Sequence, residues 1–194
     1  MKLEPAPRIL IVAGLCVLGL IALVVNEGLA RAAGVEVRLP MAAYDPRSLL
    51  SGDYVTLSIR EPLAVGEPCP VTDDSRDWLA LTPTGDHHTL AGSAPSLEEA
   101  LQVGPIPVKG TFTCNAPSPA DGATPGQPGL IAMDVGISRF HINHAEARRI
   151  EQILRDQQVG EEPSVYAILS IAHDGRARLK GLLVDGERLE LNWD

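Results

Sequence analysis

The stretch Tyr44-Asp45-Pro46-Arg47-Ser48-Leu49-Leu50-Ser51-Gly52-Asp53-Tyr54-Val55-Thr56-Leu57-Ser58-Ile59 decides the fold. Its Pro-containing turn and its Gly-Asp turn predict a sharp change of direction before a strand. From Tyr54 onward polar and apolar residues alternate, which is typical of a strand with one buried face. The stretch also holds polar groups with no evident packing role, and these are the first candidate site residues: Asp45, Arg47, Asp53 and the Tyr54 hydroxyl.

The residues before this stretch predict a membrane anchor. No charge occurs from Ile9 to Val25, and extension to Ala30 adds only Glu27. About 20 apolar residues in a helix are enough to cross the hydrocarbon core of a bilayer. The sequence therefore predicts one transmembrane helix over residues 9–30.

The charges that flank the apolar run predict its orientation. Lys2 and Arg8 precede it, which favours a cytoplasmic N-terminus over residues 1–8. The domain over residues 35–194 is then extracytoplasmic, in the periplasm or outside the cell, and the helix lies in the cytoplasmic (inner) membrane. A cleaved signal peptide is the alternative, with small residues at 30–33, but the apolar run exceeds the usual length of about 7–15 residues. Cleavage stays open on the sequence.

Composition restricts the partners and the core. The chain has 16 basic and 25 acidic residues, a net charge of −9, without a basic stripe, which argues against nucleic acid as a partner. Its seven aromatic residues are few, so the core must consist mainly of Leu, Val, Ile and Ala. The 16 Pro and 18 Gly favour many turns and short strands.

Alternating patterns and turn residues predict a β-rich domain after the anchor. Asp174-Gly175 and Asp185-Gly186 are strong hairpin signals, and residues 84–87 form a third turn of this kind. Residues 62–77 and 115–129 are predicted as loops. The predicted strands cover residues 35–40, 54–61, 78–82, 106–114, 130–135, 137–142, 164–173, 176–184 and 187–193.

Helical signals are fewer. Asn143 caps a predicted helix over 144–156, whose apolar stripe is Ala147, Ile150, Ile153 and Leu154, with Glu151 and Arg155 as an exposed ion pair. A single helical turn is predicted after Ser96, with Ser96 as its N-cap and Glu99 three residues later. The fold class is therefore α+β and β-rich: a transmembrane helix, then a mainly antiparallel β domain with one long helix.

The cysteines predict a disulfide. Cys16 lies inside the apolar run, whereas Cys69 and Cys114 both follow the anchor, in the compartment where disulfides persist. Neither has a neighbouring His or a helix N-terminus that would make it a reactive thiol. We predict that Cys69 pairs with Cys114.

The adjacent residues His87 and His88 do not predict a metal site. Neighbouring side chains point to opposite faces of a strand, and no further ligand pattern accompanies them. We predict neither a metal nor a cofactor.

Three short blocks carry a resemblance to a known family. Gly52-Asp53-Tyr54-Val55-Thr56-Leu57-Ser58-Ile59 resembles the signature of the GDYXXLXY family, membrane-anchored bacterial proteins of uncharacterised function, and 45–49 is similar to its lead-in. Residues 135–140, Val-Gly-Ile-Ser-Arg-Phe, are similar to the family's second block, and 181–186 to its closing strand and turn. The resemblance covers residues 35–193. It implies a topology and an envelope location, and no established activity.

The chain departs from the family pattern at several positions. Ile59 stands in place of the motif's last Tyr, and Val135 and Phe140 stand at aromatic positions of the second block. Residues 142–144, Ile-Asn-His, replace the usual Pro-Glu-Gly before the helix. A site that depended on those aromatic or acidic groups would be incomplete in this member.

Enzymatic interpretations find little support in the residues. A signal-peptidase-like site needs a Ser nucleophile before the Gly-Asp turn and a Lys base. Residues 41–44 contain no Ser, Ser48 stands one step from a structural position of that pattern, and Lys109 and Lys180 lack a recognisable context. Paired carboxylates Asp45 and Asp53 are the remaining hydrolytic candidates.

We interpret the polar residues mainly as a network between the first strand and the 130–140 block. It would join Arg47 and Arg139 to Asp45, Asp53 and Asp134. The function expected from the sequence is a non-catalytic accessory or partner-binding module of the cell envelope. Resemblance to the family implies a polytopic membrane protein as a plausible partner. A small envelope hydrolase, or a ligand-binding sensor that uses Asp45, Asp53 and Arg139, is the alternative.

Overall fold

A computed structural model describes residues 5–42, 54–56, 58–70, 77–116, 129–137, 139–141, 144–156 and 163–190. Within these residues the chain forms three helices and twelve strands. The helices are α1 (Pro5–Ala33), α2 (Leu97–Val103) and α3 (His144–Asp156). The strands are β1 (Val35–Pro40), β2 (Tyr54–Thr56), β3 (Ile59–Leu63), β4 (Trp78–Thr84), β5 (His87–Ala94), β6 (Ile106–Lys109), β7 (Thr111–Asn115), β8 (Gly129–Asp134), β9 (Arg139–His141), β10 (Val165–Ile171), β11 (Ala177–Val184) and β12 (Glu187–Glu190).

Helix α1 contains one candidate membrane span, Ile9–Ala33, with a mean hydropathy of 2.8 and none of it buried within the protein. Helix α1 is longer than the predicted 9–30 at both ends, whereas the candidate span exceeds the prediction only at its C-terminal end. A single apolar N-terminal helix of this kind suggests membrane anchoring.

The strands pair in antiparallel fashion in four sheets, which confirms the β-rich α+β class. The orders are β1-β10-β11-β12, β2-β9, β3-β8-β7 and β5-β4-β6. The three predicted hairpin turns are present, between β4 and β5, β10 and β11, and β11 and β12. Gly85, Gly175 and Gly186 supply the positive φ angles that these turns require.

Two predicted strands are each divided. Residues 54–61 form β2 and β3, which pair with different partners, β9 and β8. Residues 106–114 form β6 and β7, which are divided at Gly110. A Cβ at Gly110 would collide with the carbonyl oxygen of Asp134, so the chain passes there only without a side chain.

The core lies around β10, all of whose residues are buried. Aliphatic side chains dominate it, as the composition predicted: Val37, Leu39, Leu79, Leu81, Ile131, Ile150, Leu169 and Leu182 are almost fully buried. The disulfide between Cys69 and Cys114 links the loop after β3 to β7, and its sulfur atoms lie against this core. The pairing confirms the prediction, and closing 45 residues contributes roughly 3–4 kcal/mol to stability.

Helix α3 has the predicted bounds but not the predicted outer face. Ile150 and Leu154 are buried as expected, whereas Glu151, predicted as exposed, is only 7% exposed. The Arg155 Nε donates to the backbone oxygen of Glu151 at 3.4 Å, so the predicted side-chain ion pair is wrong. The cause is the width of the buried face, which extends one position beyond the apolar stripe. Asn143, the predicted cap, lies outside the described residues.

Helix α2 begins as predicted and is longer than one turn. The Ser96 Oγ accepts the backbone N–H of Glu99 at 3.3 Å and donates to its carboxylate at 2.9 Å. These bonds satisfy one of the free N–H groups at the helix start. The helix continues to Val103 before Gly104 ends it.

Two glycines in turns of similar backbone geometry provide a test of packing at the β10–β11 turn. Gly175 and Gly186 have φ angles of 77° and 81°, but only at Gly175 would a Cβ collide with the Trp78 ring. We expect Gly186→Ala to lower the free energy of unfolding by about 1–2 kcal/mol through backbone strain alone. Gly175→Ala should lower it by a further 1–3 kcal/mol, roughly, because the ring must move. Denaturant unfolding of the detergent-solubilised chain measures both, and equal losses would contradict the packing described here.

Candidate binding groove

The structure describes part of the predicted polar cluster. Asp45, Arg47 and Asp53 lie outside the described residues. For Tyr54 and Arg139 the structure describes the backbone. Tyr54 lies in β2 and Arg139 in β9, and these strands pair with Thr56 opposite Arg139 and Tyr54 opposite His141. The segment that follows the Gly-Asp turn therefore runs beside the second block, as the interpretation of a link between them requires.

Asp134 is the member of the predicted network whose side chain lies in the described part of the chain, and the network itself stays a prediction. Its side chain is exposed at the end of β8, and its Oδ1 accepts the backbone N–H of Gly136 at 2.9 Å. Gly136 has a φ of 77°. Asp134 thus closes the turn by which the chain leaves β8.

Two open cavities meet at Asp134. One, of about 470 Å³, lies between the start of β7 and the turn after β8, with Lys109 and Arg176 at its sides. The other, of about 390 Å³, extends over the β3-β8-β7 sheet to Ser58 and Ile137. Both are lined by Thr111 and Asp134, and we refer to the two together as the Asp134 groove.

Part of the wall of the Asp134 groove comes from the two blocks that carry the family resemblance. Ser58 and Ile59 belong to the first block, and Val135, Gly136 and Ile137 belong to the second. Antiparallel pairing brings the blocks together, since Ile59 lies opposite Met133 in the sheet. Strand β7 completes the groove from the other side of β8.

The groove offers polar groups of several kinds. Thr111 and Thr113 are exposed along β7, because the buried Phe112 between them turns inward. At the other wall the Arg60 Nε donates to the Ser58 Oγ at 2.9 Å. Three hydroxyl groups, those of Ser58, Thr111 and Thr113, are therefore available along the groove, between apolar side chains that line much of the rest.

Two cations, Lys109 and Arg176, lie at one end of the groove, together with the carboxylates of Asp134 and Asp174, and we call this the basic end. The Lys109 Nζ lies 5.2 Å from the centre of the Trp78 ring, and the Arg176 Nε lies 3.4 Å from the Asp174 carboxylate. Trp78 is in turn held against Gly175 of the β10–β11 turn. Such a groove suits an extended polar chain with an acceptor at the basic end.

Glu61 is a further polar residue with a specific contact inside the domain, and the sequence did not predict it. The Glu61 Oε2 accepts the backbone N–H of Leu90 at 2.9 Å, and burial raises the pKa of this carboxyl. Its neighbours on the same face of β3, Ile59 and Leu63, are buried. The alternation Ile59-x-Glu61-x-Leu63 was the available signal that this Glu points toward the core.

The two adjacent histidines belong to the contact between β1 and β5. The His88 Nδ1 accepts the backbone N–H of Arg38 at 3.2 Å, a bond that requires this nitrogen to be unprotonated, and burial lowers the pKa of His88. The His87 ring lies 5.5 Å from the Tyr166 ring and its Nδ1 lies 3.2 Å from Asp86. In the part of the chain that the structure describes, no three His, Cys, Asp or Glu side chains are grouped as metal ligands.

The fold and the groove together define a class: a β-rich α+β domain with an open polar groove, preceded by one apolar helix of membrane-spanning length. A family model described as GDYXXLXY protein matches residues 16–182. The chain therefore belongs to the GDYXXLXY family. No curated protein and no solved structure matches it.

Two glutamates are expected to change stability with pH in opposite directions. Burial raises the pKa of Glu61, so its charged form is disfavoured in the folded state and its contribution is lost as the pH rises through the folded pKa. Hydrogen bonds from Lys180, at 2.8 Å, and Arg188 lower the pKa of Glu36, so its contribution is present above the usual value of about 4.5 and is lost as the pH falls.

We therefore expect Glu61→Gln, which keeps the oxygen that accepts from Leu90, to be more stable than the wild type at pH 7. This gain should disappear on acidification through about pH 4.5. Glu36→Gln should be less stable at pH 7 and should equal the wild type at low pH. Unfolding curves at several pH values measure both differences, and a Glu61→Gln gain that does not depend on pH would contradict the assignment.

Proposed function

We propose that this protein is a single-pass protein of the cytoplasmic membrane whose β-rich domain binds an envelope partner through the Asp134 groove. In this proposal the N-terminus is cytoplasmic and the domain lies in the periplasm or outside the cell. Lys2 and Arg8 before the apolar helix support this orientation. The disulfide between Cys69 and Cys114 supports an oxidising compartment for the domain.

The position of the groove next to α1 is the observation that carries the proposal. Ala172 and His173, in the β10–β11 turn, line a small notch with Ala33, the last residue of α1. Arg176 and Ala177, three and four residues after His173, line the basic end of the groove. A groove this close to the end of the anchor opens near the membrane surface.

This position favours a membrane protein as the partner. A segment bound near the surface is most readily supplied by a loop or a juxtamembrane stretch of another integral membrane protein, which agrees with a polytopic partner. At the basic end, Lys109 and Arg176 would donate hydrogen bonds to a carboxylate or a carbonyl group of that segment. The hydroxyl groups of Thr111 and Thr113 would bond to its remaining polar groups.

A ligand-binding sensor or a small envelope hydrolase is the second candidate, and one observation favours it. The pairing of Thr56 with Arg139 puts the backbone that follows Asp53 next to the Arg. Such a site would use Asp45, Asp53 and Arg139. If Asp53→Asn abolished binding of a small molecule while the domain stayed folded, this candidate would be preferred.

Site-specific photocrosslinking tests the partner proposal. A photoreactive phenylalanine analogue at Thr113, in the groove, should give one discrete crosslinked product in native membranes. The same group at Thr84, an exposed Thr in the β4–β5 hairpin, is the matched control and should give none. Lys109→Glu should reduce the Thr113 product several-fold, because it reverses the charge at one end of the groove.

Equal products from Thr113 and Thr84 would indicate chance encounters and would contradict the proposal. A Thr113 product that persists unchanged with Lys109→Glu would exclude a role for the basic end. Circular dichroism of each variant confirms that the domain is folded.

A further inference from the structure

Helix α1 is joined to the domain without a flexible spacer. Gly34 alone separates it from β1, and a Cβ at Gly34 would collide with the Ser170 Oγ of β10. One turn and a half before the helix ends, the Glu27 carboxylate pairs with the Arg178 Nε of β11 at 2.7 Å. Because Arg178 is only 17% exposed, this ion pair fixes the helix end against the sheet.

The same ion pair sets the height of the domain above the bilayer. About 20 residues at 1.5 Å each cross the hydrocarbon core, so a span that starts at Ile9 reaches Leu29. Glu27 and its partner Arg178 then lie at the boundary between the acyl chains and the headgroups. Ala33, four residues beyond Leu29, lies about 6 Å further out, still within the headgroup layer.

An exposed apolar surface is present at this height. The notch lined by Ala33 and Val35 also includes Pro105 and Ile106, and it has a volume of about 150 Å³. Val35 is 55% exposed, and Pro105 is exposed as well. Helix α2 leads into Pro105 through Gly104 and adds two large apolar side chains, Leu101 and Val103, which are 53% and 44% exposed. We call Val35, Leu101, Val103 and Pro105 the base patch.

The two ends of α2 differ in polarity. Its charged residues, Glu98 and Glu99, lie in the first turn, and Ala100 is the buried contact with the domain. Leu101 and Val103 lie at the other end, which leads to Pro105 beside Ala33; both are exposed, and they flank the buried Ala100 on different sides of the helix. Single exposed apolar residues are common, but a group of them beside the end of a membrane-spanning helix suggests a contact with the membrane.

We propose that the base patch lies in the boundary between headgroups and acyl chains of the outer leaflet, in direct contact with lipid. Burial of Leu101 and Val103 there, together with the Glu27–Arg178 pair, holds the domain in one orientation on the membrane. This inference rests on the membrane span of the proposed function and is independent of the groove.

Depth-dependent fluorescence quenching tests the proposal on the full chain in lipid nanodiscs. The probe is an NBD fluorophore on a single free cysteine, and the quencher is phosphatidylcholine with a nitroxide near the headgroup end of its acyl chain. Val103→Cys and Leu101→Cys, each combined with Cys16→Ala, place the probe in the base patch. Glu187→Cys in the same background places it beyond the far end of β11, which is roughly 25 Å long.

We expect the probe at 101 and at 103 to emit at shorter wavelength and to be quenched several-fold more strongly than the probe at 187. The native Cys16, labelled in the otherwise wild-type chain, reports the span itself, because it lies inside α1. A quenched probe at 16 with unquenched, water-like probes at 101 and 103 would overturn the base-patch proposal and leave the span intact. An unquenched probe at 16 would contradict the span.

One further outcome distinguishes lipid from protein at the patch. If the probes at 101 and 103 emit at short wavelength but are not quenched, a second copy of the chain covers the patch, and the proposal is overturned. The two labelling positions protect the test against a local effect of either substitution, and unfolding curves confirm that each labelled chain is folded.

Discussion

Strand β10 is the constraint on which the rest of the structure depends. It is buried along its whole length and pairs on both sides, with β1 and with β11. Its odd-numbered residues, Val165 to Ile171, lie in the main core, and its Tyr166 contacts the His87 ring. A strand that is buried on both faces has no freedom of register, because a shift by one residue would exchange the two sets of side chains.

The two ends of β10 connect α1, the proposed membrane anchor, to the family blocks. At one end Ser170 and Ile171 meet Gly34, at the end of α1. At the other end the Val165 oxygen accepts the backbone N–H of Met41, which itself bridges to Ile59 at the start of β3. The anchor, the central sheet and the signature strand are therefore one continuous hydrogen-bonded structure, and the Asp134 groove keeps a fixed position relative to α1.

Local patterns in the sequence predicted those parts of the fold that depend on neighbouring residues. The Asp-Gly turns, the bounds of α3 and the Ser96 cap follow from backbone preferences over a few positions. The Cys69–Cys114 disulfide followed from the compartment. Division of 106–114 at Gly110 did not, because it depends on a carbonyl group 24 positions away, at Asp134. Contacts of this kind, between residues far apart in the chain, do not change the alternation of polar and apolar residues from which a strand is predicted.

The candidate site was predicted less well, for a related reason. The sequence indicated which blocks would meet, and the pairing of β2 with β9 and β3 with β8 agrees with it. Isolated polar residues, however, do not reveal their environment. Asp134 closes an exposed turn, and the side chains predicted to join it in a network lie outside the described part of the chain. Glu61, which the sequence analysis did not single out, is half-buried and has a raised pKa. Burial decides the role of a carboxylate, and burial is a property of the assembled sheets.

Charge and position together restrict what the groove can bind. The chain carries a net charge of −9, which repels acidic macromolecules in solution, and the cations Lys109 and Arg176 at one end of the groove lie beside the carboxylates of Asp134 and Asp174. An acidic ligand that diffuses freely must overcome the repulsion of the whole domain before it reaches this end. A segment tethered to the same membrane arrives there at a high effective concentration and needs only a weak local attraction. Under the proposed function, the net charge of the domain therefore disfavours a freely diffusing acidic ligand more than it disfavours a segment tethered to the same membrane.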